Sequence, residues 1–499
     1  MRRFIRPALI GVLSAAFGVA LAELLAAATR PQAGPLVAVG GAVIDAAPTP
    51  LKEFAVRTLG TNDKPVLLGT IALVLILFTA AIGVLSVRRR WVAVAGAAVF
   101  GLAGALAAAM RPTATAYDVV PSLLGAVVAG ATLLFLHHRT RRPSATGGDF
   151  DRRAFLRAAA AVAGGVVVAG GASEVVKRVR GGAVTKSREA ISLPAPADPA
   201  KPLPAGVGPG FVTANKDFYR VDTALSVPRI DVNTWSLRIH GMVGKEVDLS
   251  FDDLLKRPLI ERDITLNCVS NEVGGPYIGT AKWLGVPLAP LLRELGVEPG
   301  ADQVVARSAE GMTIGTPVET IFDGREAMLC VGMNGEPLPL EHGFPVRMLT
   351  PGLYGYAGAC KWITELELTT FDRFDAYWVE RGWGARGPVK TASRIDKPKP
   401  FAKLEAGKLT VAGVAWAQGR GIRNVEVRVD DRPWAKAELL PVPSTDTWVQ
   451  WRYDWAATAG AHTIAVRATD STGAVQTEQR ATPFPDGATG WHTITASVD

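Results

Sequence analysis

The stretch Asn267-Cys268-Val269-Ser270-Asn271-Glu272 decides how the soluble part of this chain is interpreted. It follows the apolar segment Ile264-Thr265-Leu266 and precedes Gly274-Gly275-Pro276. A lone cysteine more often packs in a core. A cysteine at a strand end, opening into a polar and glycine-rich loop, is instead placed to present a thiolate. We therefore take Cys268 as the candidate chemical centre.

A second group of polar residues lies downstream, in His342-Gly343-Phe344-Pro345-Val346-Arg347 and in the glycine-rich residues 351–362, which contain Lys361. Cations and exposed backbone N–H groups in such a loop suit an anionic, phosphate-bearing ligand. Alternatively, His342 is a hydrogen-bonded structural histidine and Arg347 an ordinary ion-pair partner. We keep His342, Arg347 and Lys361 as ligand-binding candidates.

The pattern around these motifs predicts a mixed domain. Short strands at residues 235–240 and 361–368 alternate with helical stretches at residues 251–256 and 290–295. Such mixing is typical of an α+β domain, which begins near Phe211.

The pattern changes beyond Lys397-Pro398-Lys399-Pro400. Alternating segments follow at residues 408–416, 424–430, 448–455 and 462–470, separated by turn residues. About 100 residues of spaced short strands predict a β-sandwich of immunoglobulin type.

These segments together resemble the sulfite oxidase family of molybdopterin enzymes, from Phe211 to the C-terminus. The further matching pieces are Phe211-Val212-Thr213-Ala214-Asn215, Phe218-Tyr219-Arg220, residues 281–288, Ser393-Arg394-Ile395-Asp396 and residues 413–426. The resemblance implies an α+β molybdopterin-binding domain followed by an immunoglobulin-like domain often used for dimerisation. A homodimer is therefore an expectation, although a shared fold does not prove an interface.

The resemblance also implies roles for single residues. Cys268 matches the thiolate that binds molybdenum beside the two dithiolene sulfurs of one pterin. His342, Arg347 and Lys361 match positions that help to hold the pterin and its phosphate. Asn215 and Arg220 lie in the segment that approaches the cofactor and substrate from the other side. The implied cofactor is thus molybdenum-molybdopterin, and the implied catalytic residues are Cys268 and Arg220.

The chain departs from the family pattern at two points. Sulfite-oxidising members have an arginine where this chain has Glu272, and an acidic group would repel a sulfite dianion. The family's active-site tyrosine has no clear match, because Trp383 stands near the expected place. Either Tyr219 or Tyr277 could supply a hydroxyl instead.

Composition excludes several classes of protein. The chain has 499 residues, 48% hydrophobic and 20% charged, which is too long for one ordinary domain and too apolar for a purely soluble enzyme. Its net charge of +8 does not predict a nucleic-acid partner, since the arginines flank apolar runs. Of three cysteines none forms a C-x-x-C pair, and Cys330 and Cys360 are either buried thiols or a disulfide pair.

The N-terminal part contains runs long enough to span a membrane. The predicted spans are residues 7–28, 66–87, 91–110 and 119–136. Arginines precede the first span, join the second to the third and follow the fourth, at Arg2, Arg3, Arg6, Arg88 to Arg90, Arg139, Arg141 and Arg142. The positive-inside rule makes these regions cytoplasmic.

A further apolar segment resembles an internal twin-arginine export signal. Asp151-Arg152-Arg153-Ala154-Phe155-Leu156-Arg157 precedes 16 uncharged residues, 158–173. Such signals characterise proteins that fold around a cofactor before export. The alternative is a plain fifth span, and both interpretations place the rest of the chain outside. Because no cleavage site stands out, we expect the segment to be retained as an anchor.

The predicted organisation has five parts. They are a transmembrane region of about four helices (1–142), a twin-arginine-like signal or anchor helix (143–180), a proline-rich linker (181–210), a molybdopterin-binding domain (211–398) and an immunoglobulin-like dimerisation-type domain (399–499).

Oxygen-atom transfer needs a partner that restores the metal. The sequence has no haem-attachment motif, ferredoxin cysteine run or Rossmann fingerprint, so a separate electron carrier is expected, in the membrane or outside the cytoplasm. His137 and His138 are adjacent and interpreted as interfacial residues. The leading hypothesis is a membrane-tethered molybdopterin oxidoreductase, anchored in membrane lipid, that moves an oxygen atom to or from a small substrate at the outer face of the cell membrane. The alternatives are a reductase of S- or N-oxides and a cofactor-free surface binding module.

Overall fold

The computed structural model describes residues 2–59, 62–141 and 152–499. Arg142 and Asp151, which the sequence analysis assigns to the fourth span's flank and to the export motif, lie outside the described residues. The chain divides into two compact units. The helical unit comprises Met1–Lys186 with Thr223–Val227, and the catalytic-type unit comprises Ser187–Asp222 with Pro228–Asp499.

The helical unit contains seven α-helices within the described residues. They are α1 (Arg2–Ala28), α2 (Pro35–Ala46), α3 (Thr49–Leu59), α4 (Asp63–Leu85), α5 (Arg90–Ala109), α6 (Val120–Arg141) and α7 (Arg152–Glu189). Helices α1, α4, α5, α6 and α7 are long and apolar enough to cross a membrane, by length and composition. Each overlaps one of the apolar runs singled out in the sequence, because a continuous apolar run with few breakers propagates a helix.

Small residues determine how closely these helices pack. A side chain at Gly11 would clash with the backbone of α4 at Gly83, and one at Gly18 would clash with α6 at Gly125. Glycine at such crossings lets two helix backbones approach each other. Helix α1 consequently packs against both α4 and α6.

The first half of the catalytic-type unit contains two sheets around a common core. Their strands are β1 (Ser236–Gly241), β2 (Val247–Ser250), β3 (Ile260–Asn267), β4 (Ile278–Pro287), β5 (Gln303–Ser308), β6 (Thr313–Pro317), β7 (Met328–Met333), β8 (Glu336–Pro337), β9 (Arg347–Leu349) and β10 (Ile363–Thr369). One sheet has the order β2-β1-β10-β5-β6, and the other has β3-β4-β7-β8 with β9 paired to β7. Four short helices connect the strands: α8 (Phe251–Leu255), α9 (Leu288–Leu295), α10 (Glu319–Phe322) and α11 (Gly355–Gly358).

The C-terminal region is β-rich. Its strands are β11 (Ala392–Lys397), β12 (Lys403–Leu404), β13 (Gly407–Trp416), β14 (Ile422–Val429), β15 (Ala435–Lys436), β16 (Glu438–Leu439), β17 (Val449–Ala457), β18 (Gly460–Asp470) and β19 (His492–Val498). They form two sheets, β11-β13-β17-β16 and β12-β19-β18-β14-β15. Val411 and Trp451 from the first sheet share one buried core with Val427 and Ile464 from the second. The alternation seen in the sequence arises because one face of each sheet is buried.

The structure corrects the expected linker over residues 181–210. Helix α7 continues to Glu189, since no proline interrupts it before Pro194. The following residues pack on the folded unit: Leu193 contacts the core, and the Ala197 N–H donates to the Leu259 carbonyl over 2.8 Å. The apolar side chains and backbone N–H groups of this segment therefore pack against the folded unit. In a semi-extended tether they would instead be exposed to solvent.

The expected domain boundary at residues 398/399 also shifts. Strand β11, assigned by sequence to the preceding domain, pairs antiparallel with β13. Ile395 is buried in the core of the C-terminal sheets, so burial of this side chain places β11 with them.

Candidate functional site

Cys268 lies directly after β3, at the start of a closed loop over residues 268–277. Its backbone N–H donates to the Tyr277 carbonyl over 3.0 Å, and its carbonyl accepts from the Asn271 N–H over 3.1 Å. The Asn271 side chain accepts from the Tyr277 N–H over 2.8 Å. Burial raises the pKa of the Cys268 thiol, whereas hydrogen bonds from Ser270 and the charge of Lys361 oppose that rise. The loop therefore holds one thiol in a defined, nearly dry position.

His342 is held by the segment that contains Asn215. Its Nε2–H donates to the Asn215 carbonyl over 2.9 Å, and its ring packs edge-on against Phe218. Burial lowers the pKa of His342 to about 4, and the nearby cations Arg347 and Lys361 act in the same direction. A neutral imidazole donating from Nε2 leaves Nδ1 as an acceptor.

Arg347 is a buried cation with few partners. Its guanidinium lies 5.2 Å from the ring centre of Trp283, and Nη1 donates to the His342 carbonyl at a long 3.4 Å. Its Nε has no hydrogen-bond partner within the described part of the chain. Burial lowers the pKa of Arg347, although a guanidinium stays protonated. A buried charge without a carboxylate partner is costly unless a ligand supplies the countercharge.

Gly343 brings Arg347 and Lys361 together. Its φ of +114° is open to glycine, and a side chain there would meet Arg347 and Lys361 at 3.2 Å. Trp362, fully buried, has a φ of +53°, a conformation that costs energy for a bulky residue. The residues Gly343, before Arg347, and Trp362, directly after Lys361, thus both have a backbone conformation that is rare for most residues.

Asp222 joins two of the predicted cations and was not predicted. Its carboxylate accepts from Lys361 Nζ over 2.6 Å and from Arg220 Nε over 2.8 Å, and its side chain is only 4% exposed. Burial lowers the pKa of Lys361 to about 8, while Asp222 opposes that shift. The Arg-x-Asp spacing of residues 220–222 is the one sequence signal that could have suggested this pair. The carboxylate keeps Lys361 charged near neutral pH.

Tyr219 lies close to the thiol of Cys268. Burial raises the pKa of Tyr219, the charge of Cys268 raises it further, and Arg347 lowers it. The ring centre of Tyr277 lies 6.4 Å from that of Tyr219. Trp383 belongs to the same buried cluster as Val269, the neighbour of Cys268. Tyr219, one of the two tyrosines left open by the sequence, thus lies within electrostatic reach of both Cys268 and Arg347.

Two residues of the C-terminal sheets hold the Cys268 loop, and neither role was predicted. Arg394 Nη1 donates to the Gly275 carbonyl over 2.8 Å. The His492 ring lies directly against Gly274, where any side chain would clash with it. His492 Nδ1 accepts from the Ile395 N–H over 2.9 Å, which requires the neutral imidazole. The loop is therefore shaped jointly by both parts of this unit.

His492 makes this contact sensitive to acid. Burial, assisted by Arg394, lowers the pKa of His492 to about 4, below its ordinary 6.5. The unfolded chain consequently binds more protons between these values, so the free energy of unfolding falls as pH drops from 6.5 to about 4. We expect His492→Gln, which keeps an acceptor but does not titrate, to flatten this decline. Denaturant unfolding, followed by tryptophan emission at several pH values, measures the free energy of unfolding for both proteins.

The matched control for this prediction is His462→Gln. Hydrogen bonding to Asp430 raises the pKa of His462, so that histidine stabilises the fold below its unfolded pKa and its contribution is lost as pH rises. Removal of His462 should therefore make the free energy of unfolding fall more steeply as the pH drops. Equal slopes for wild type and His492→Gln would contradict the assignment.

The donor set fits the molybdenum-molybdopterin group that the resemblance implies. The Cys268 thiol at the start of its loop offers one soft metal ligand, and soft thiolates suit such metals. The Arg347 Nε and the cation of Lys361 offer charge-assisted donors for a phosphate. Cys330 and Cys360, like Cys268, are free buried thiols, so the structure contains no disulfide between them.

The six residues predicted for the site divide into three groups. Lys361 lies within electrostatic reach of both Cys268 and Arg347, and the His342 carbonyl accepts from Arg347. Arg220 lies beside Asp222, about one-third exposed. The Asn215 side chain bonds to Glu336 and Asn334, while its carbonyl orients His342.

Comparisons with known proteins agree with this geometry. Residues 224–378 match the family described as "Oxidoreductase molybdopterin binding domain". The chain is 31% identical to mitochondrial sulfite oxidase of Mus musculus over 285 residues, covering 48% of this chain and 51% of that protein. It is 31% identical to the uncharacterized oxidoreductase YuiH of Bacillus subtilis (strain 168) over 157 residues, covering 32% of this chain and 76% of that protein.

A solved structure supports the same fold. The sulfane dehydrogenase SoxCD from Paracoccus pantotrophus superposes with a TM-score of 0.51 and 23% identity, covering 58% of this chain and 83% of that one. The chain spans about half the length of the mammalian sulfite oxidases it matches.

Proposed function

The chain belongs to the sulfite oxidase family and is a molybdenum-cofactor oxidoreductase, and from this premise we propose that it transfers an oxygen atom to or from a small substrate at the outer face of the cell membrane. The observation that carries the proposal is the buried Cys268 thiol at the start of its loop, together with the buried Arg347, whose Nε has no hydrogen-bond partner among the described residues. A buried guanidinium without a countercharge is costly, which favours a bound anion beside it. The shared site of these groups suits an anionic, metal-bearing ligand.

Each residue of the site then has a distinct task. The Cys268 thiolate would be the protein ligand to molybdenum, and the bound group would supply the exchangeable oxygen and the two-electron chemistry. Arg347 and Lys361 would hold the phosphate end, with Asp222 fixing the Lys361 ammonium at 2.6 Å. His342 would accept at Nδ1 from the pterin edge, and the Tyr219 hydroxyl would donate to a substrate oxygen. Arg220 would face the substrate side.

The helical unit would tether this enzyme to the membrane. Five helices meet the length and composition of membrane spans. Arginines stand between α4 and α5 and at the start of α7, which favours a cytoplasmic position for those ends. An odd number of spans before Ser187 then leads the catalytic-type unit outside.

Contacts of α7 support its retention as an anchor after twin-arginine-type export. Arg180 donates to the Ala27 and Ala28 carbonyls at the end of α1, over 2.8 and 2.6 Å. Lys177 pairs with Glu23, whose side chain is 12% exposed, over 3.6 Å. These bonds satisfy helix-end carbonyls and neutralise a half-buried carboxylate, so cleavage and loss of α7 would remove the donors to those carbonyls and the cation beside Glu23.

The electron carrier would be a separate protein or membrane component, because the sequence contains no motif for a second redox centre. The two C-terminal sheets support the proposal of an immunoglobulin-like domain, through which a homodimer would form.

The test of this function uses the full chain made in a host that synthesises the cofactor. We expect about one molybdenum and one pterin per chain, as for a tightly held prosthetic group. Sulfite oxidation is followed with ferricyanide as acceptor, and sulfoxide reduction with a reduced viologen as donor. Folded protein that lacks both molybdenum and pterin would reject the enzyme and favour the surface-module alternative.

Glu272 favours the second candidate, a reductase of neutral S- or N-oxides. This carboxylate lies in the Cys268 loop at a half-buried position, where it opposes a sulfite dianion. We expect Glu272→Gln to lower the KM for sulfite about tenfold, since each tenfold step equals about 1.4 kcal/mol of removed repulsion. The KM for a neutral sulfoxide should not change.

The control for this test is Glu246→Gln, an exposed acid paired with Arg238 away from the loop. An unchanged sulfite KM in Glu272→Gln would show that this acid does not select against sulfite.

A further inference from the structure

A cavity lies between the ends of α4, α5 and α6 in the helical unit. Its volume is about 420 Å³. Its walls are apolar along one side, formed by Ala93, Val94, Leu133 and Leu134. Its other side is polar, so the cavity is suited to a molecule with one apolar and one polar end.

The polar side of this cavity carries donors and positive charge. It is formed by Arg90, His137, His138 and Ser86, and His137 is buried although it lines the cavity. The exposed fraction of His137 is 8%. Both histidines line the polar side of the cavity, and their position at the membrane interface stays a prediction.

The start of α5 adds to the positive electrostatic potential on the polar side of the cavity. The helix is 20 residues long and begins at Arg90, and its N-cap Arg89 provides no side-chain cap. The first-turn N–H groups and the positive end of the helix dipole therefore attract an anion. Arg88 and Arg89 precede it directly.

None of the described residues that line this cavity carries a carboxylate. A phosphate would place a negative charge beside Arg90, whereas a neutral ring such as a quinone would not. The lining therefore favours an anionic ligand over a neutral ring.

We propose that this cavity binds an anionic phospholipid of the cytoplasmic leaflet, with its phosphate at Arg90 and His138 and one acyl chain along Leu133 and Leu134. Basic pockets between membrane helices on the cytoplasmic side have this preference. The proposal rests on the membrane embedding of the helical unit proposed above. It adds a headgroup-specific lipid site to a unit otherwise assigned only an anchoring role.

Trp91 makes the proposal directly measurable. It lines the cavity and is the single tryptophan between residues 1 and 186, while the other 11 lie after residue 234. The full chain is reconstituted in phosphatidylcholine vesicles that contain a small fraction of lipid with brominated acyl chains. We expect brominated phosphatidylglycerol to quench Trp91 more than brominated phosphatidylcholine does, with Trp91→Phe defining the Trp91 part of the emission.

Two variants distinguish the site from general attraction to the membrane surface. Arg90→Gln should weaken the phosphatidylglycerol effect about fivefold, as expected for one arginine near anionic lipid. Arg6→Gln removes the same charge from α1, outside this cavity, and should change it little. Equal loss in both variants would overturn the proposal.

The remaining outcomes separate this proposal from membrane tethering itself. Equal quenching by the two brominated lipids would leave the tether intact and overturn the lipid site. No quenching by either lipid would overturn both. Quenching by a short-chain quinone that phosphatidylglycerol does not displace would assign the cavity to a neutral ring and reject the phosphate.

Discussion

Replacement of Cys268 by serine is expected to abolish turnover while leaving the fold intact. A serine hydroxyl is a harder and weaker donor than a thiolate, so the metal would lose its protein ligand. We expect a loss of at least about 10³-fold in kcat, equivalent to about 4 kcal/mol of transition-state stabilisation. The molybdenum absorption and electron paramagnetic resonance spectra should change in the same variant.

The control is Cys330→Ala, which removes another buried thiol from β7. It should lower stability through a small cavity but leave the metal spectrum unchanged. A Cys268→Ser protein with the wild-type spectrum and turnover would show that this thiol does not bind the metal.

Replacement of Arg347 by methionine is expected to produce opposite changes in cofactor content and stability. Pterin content should fall at least about tenfold, because a charge-assisted bond to an anionic phosphate is lost. The free energy of unfolding of the cofactor-free protein should rise by about 1 to 2 kcal/mol, since a buried cation that has no carboxylate partner among the described residues is replaced by an apolar side chain. Pterin fluorescence and denaturant unfolding of the cofactor-free protein measure the two effects.

The matched control is Arg262→Met. Arg262 pairs with Glu326 and Asp198, so its removal leaves two carboxylates without their cation and should lower stability. If Arg347→Met also destabilises the cofactor-free protein, Arg347 is a structural residue, the alternative left open by the sequence.

Local hydrophobic patterns in the sequence predicted much of the architecture. The apolar runs correspond to α1, α4, α5, α6 and α7 within two residues at the ends that extend beyond a helix. The alternating segments became β13, β14, β17 and β18 within two residues at each end, because each strand buries one face. Such patterns depend only on residues that are near one another in the chain. Helices and strands of this kind can therefore be predicted from the sequence.

Contacts over long sequence separations were not predictable in this way. The Asp222 carboxylate bonds to Lys361 across 139 residues, and Arg394 bonds to the Gly275 carbonyl across 119. His492 reaches the Cys268 loop from the last strand. Neither single-residue identity nor spacing specifies such a partner.

The sequence by itself determined the candidate thiol, the apolar helices, the strand-rich C-terminal region and the family, since these depend on residue type and short-range order. Only the tertiary structure decided that Tyr219 lies within electrostatic reach of Cys268, that Asp222 holds Lys361, and that residues 190–210 pack on the folded unit. The physical reason is that burial and electrostatic coupling depend on distances in space. The chain brings these groups together only when its sheets assemble.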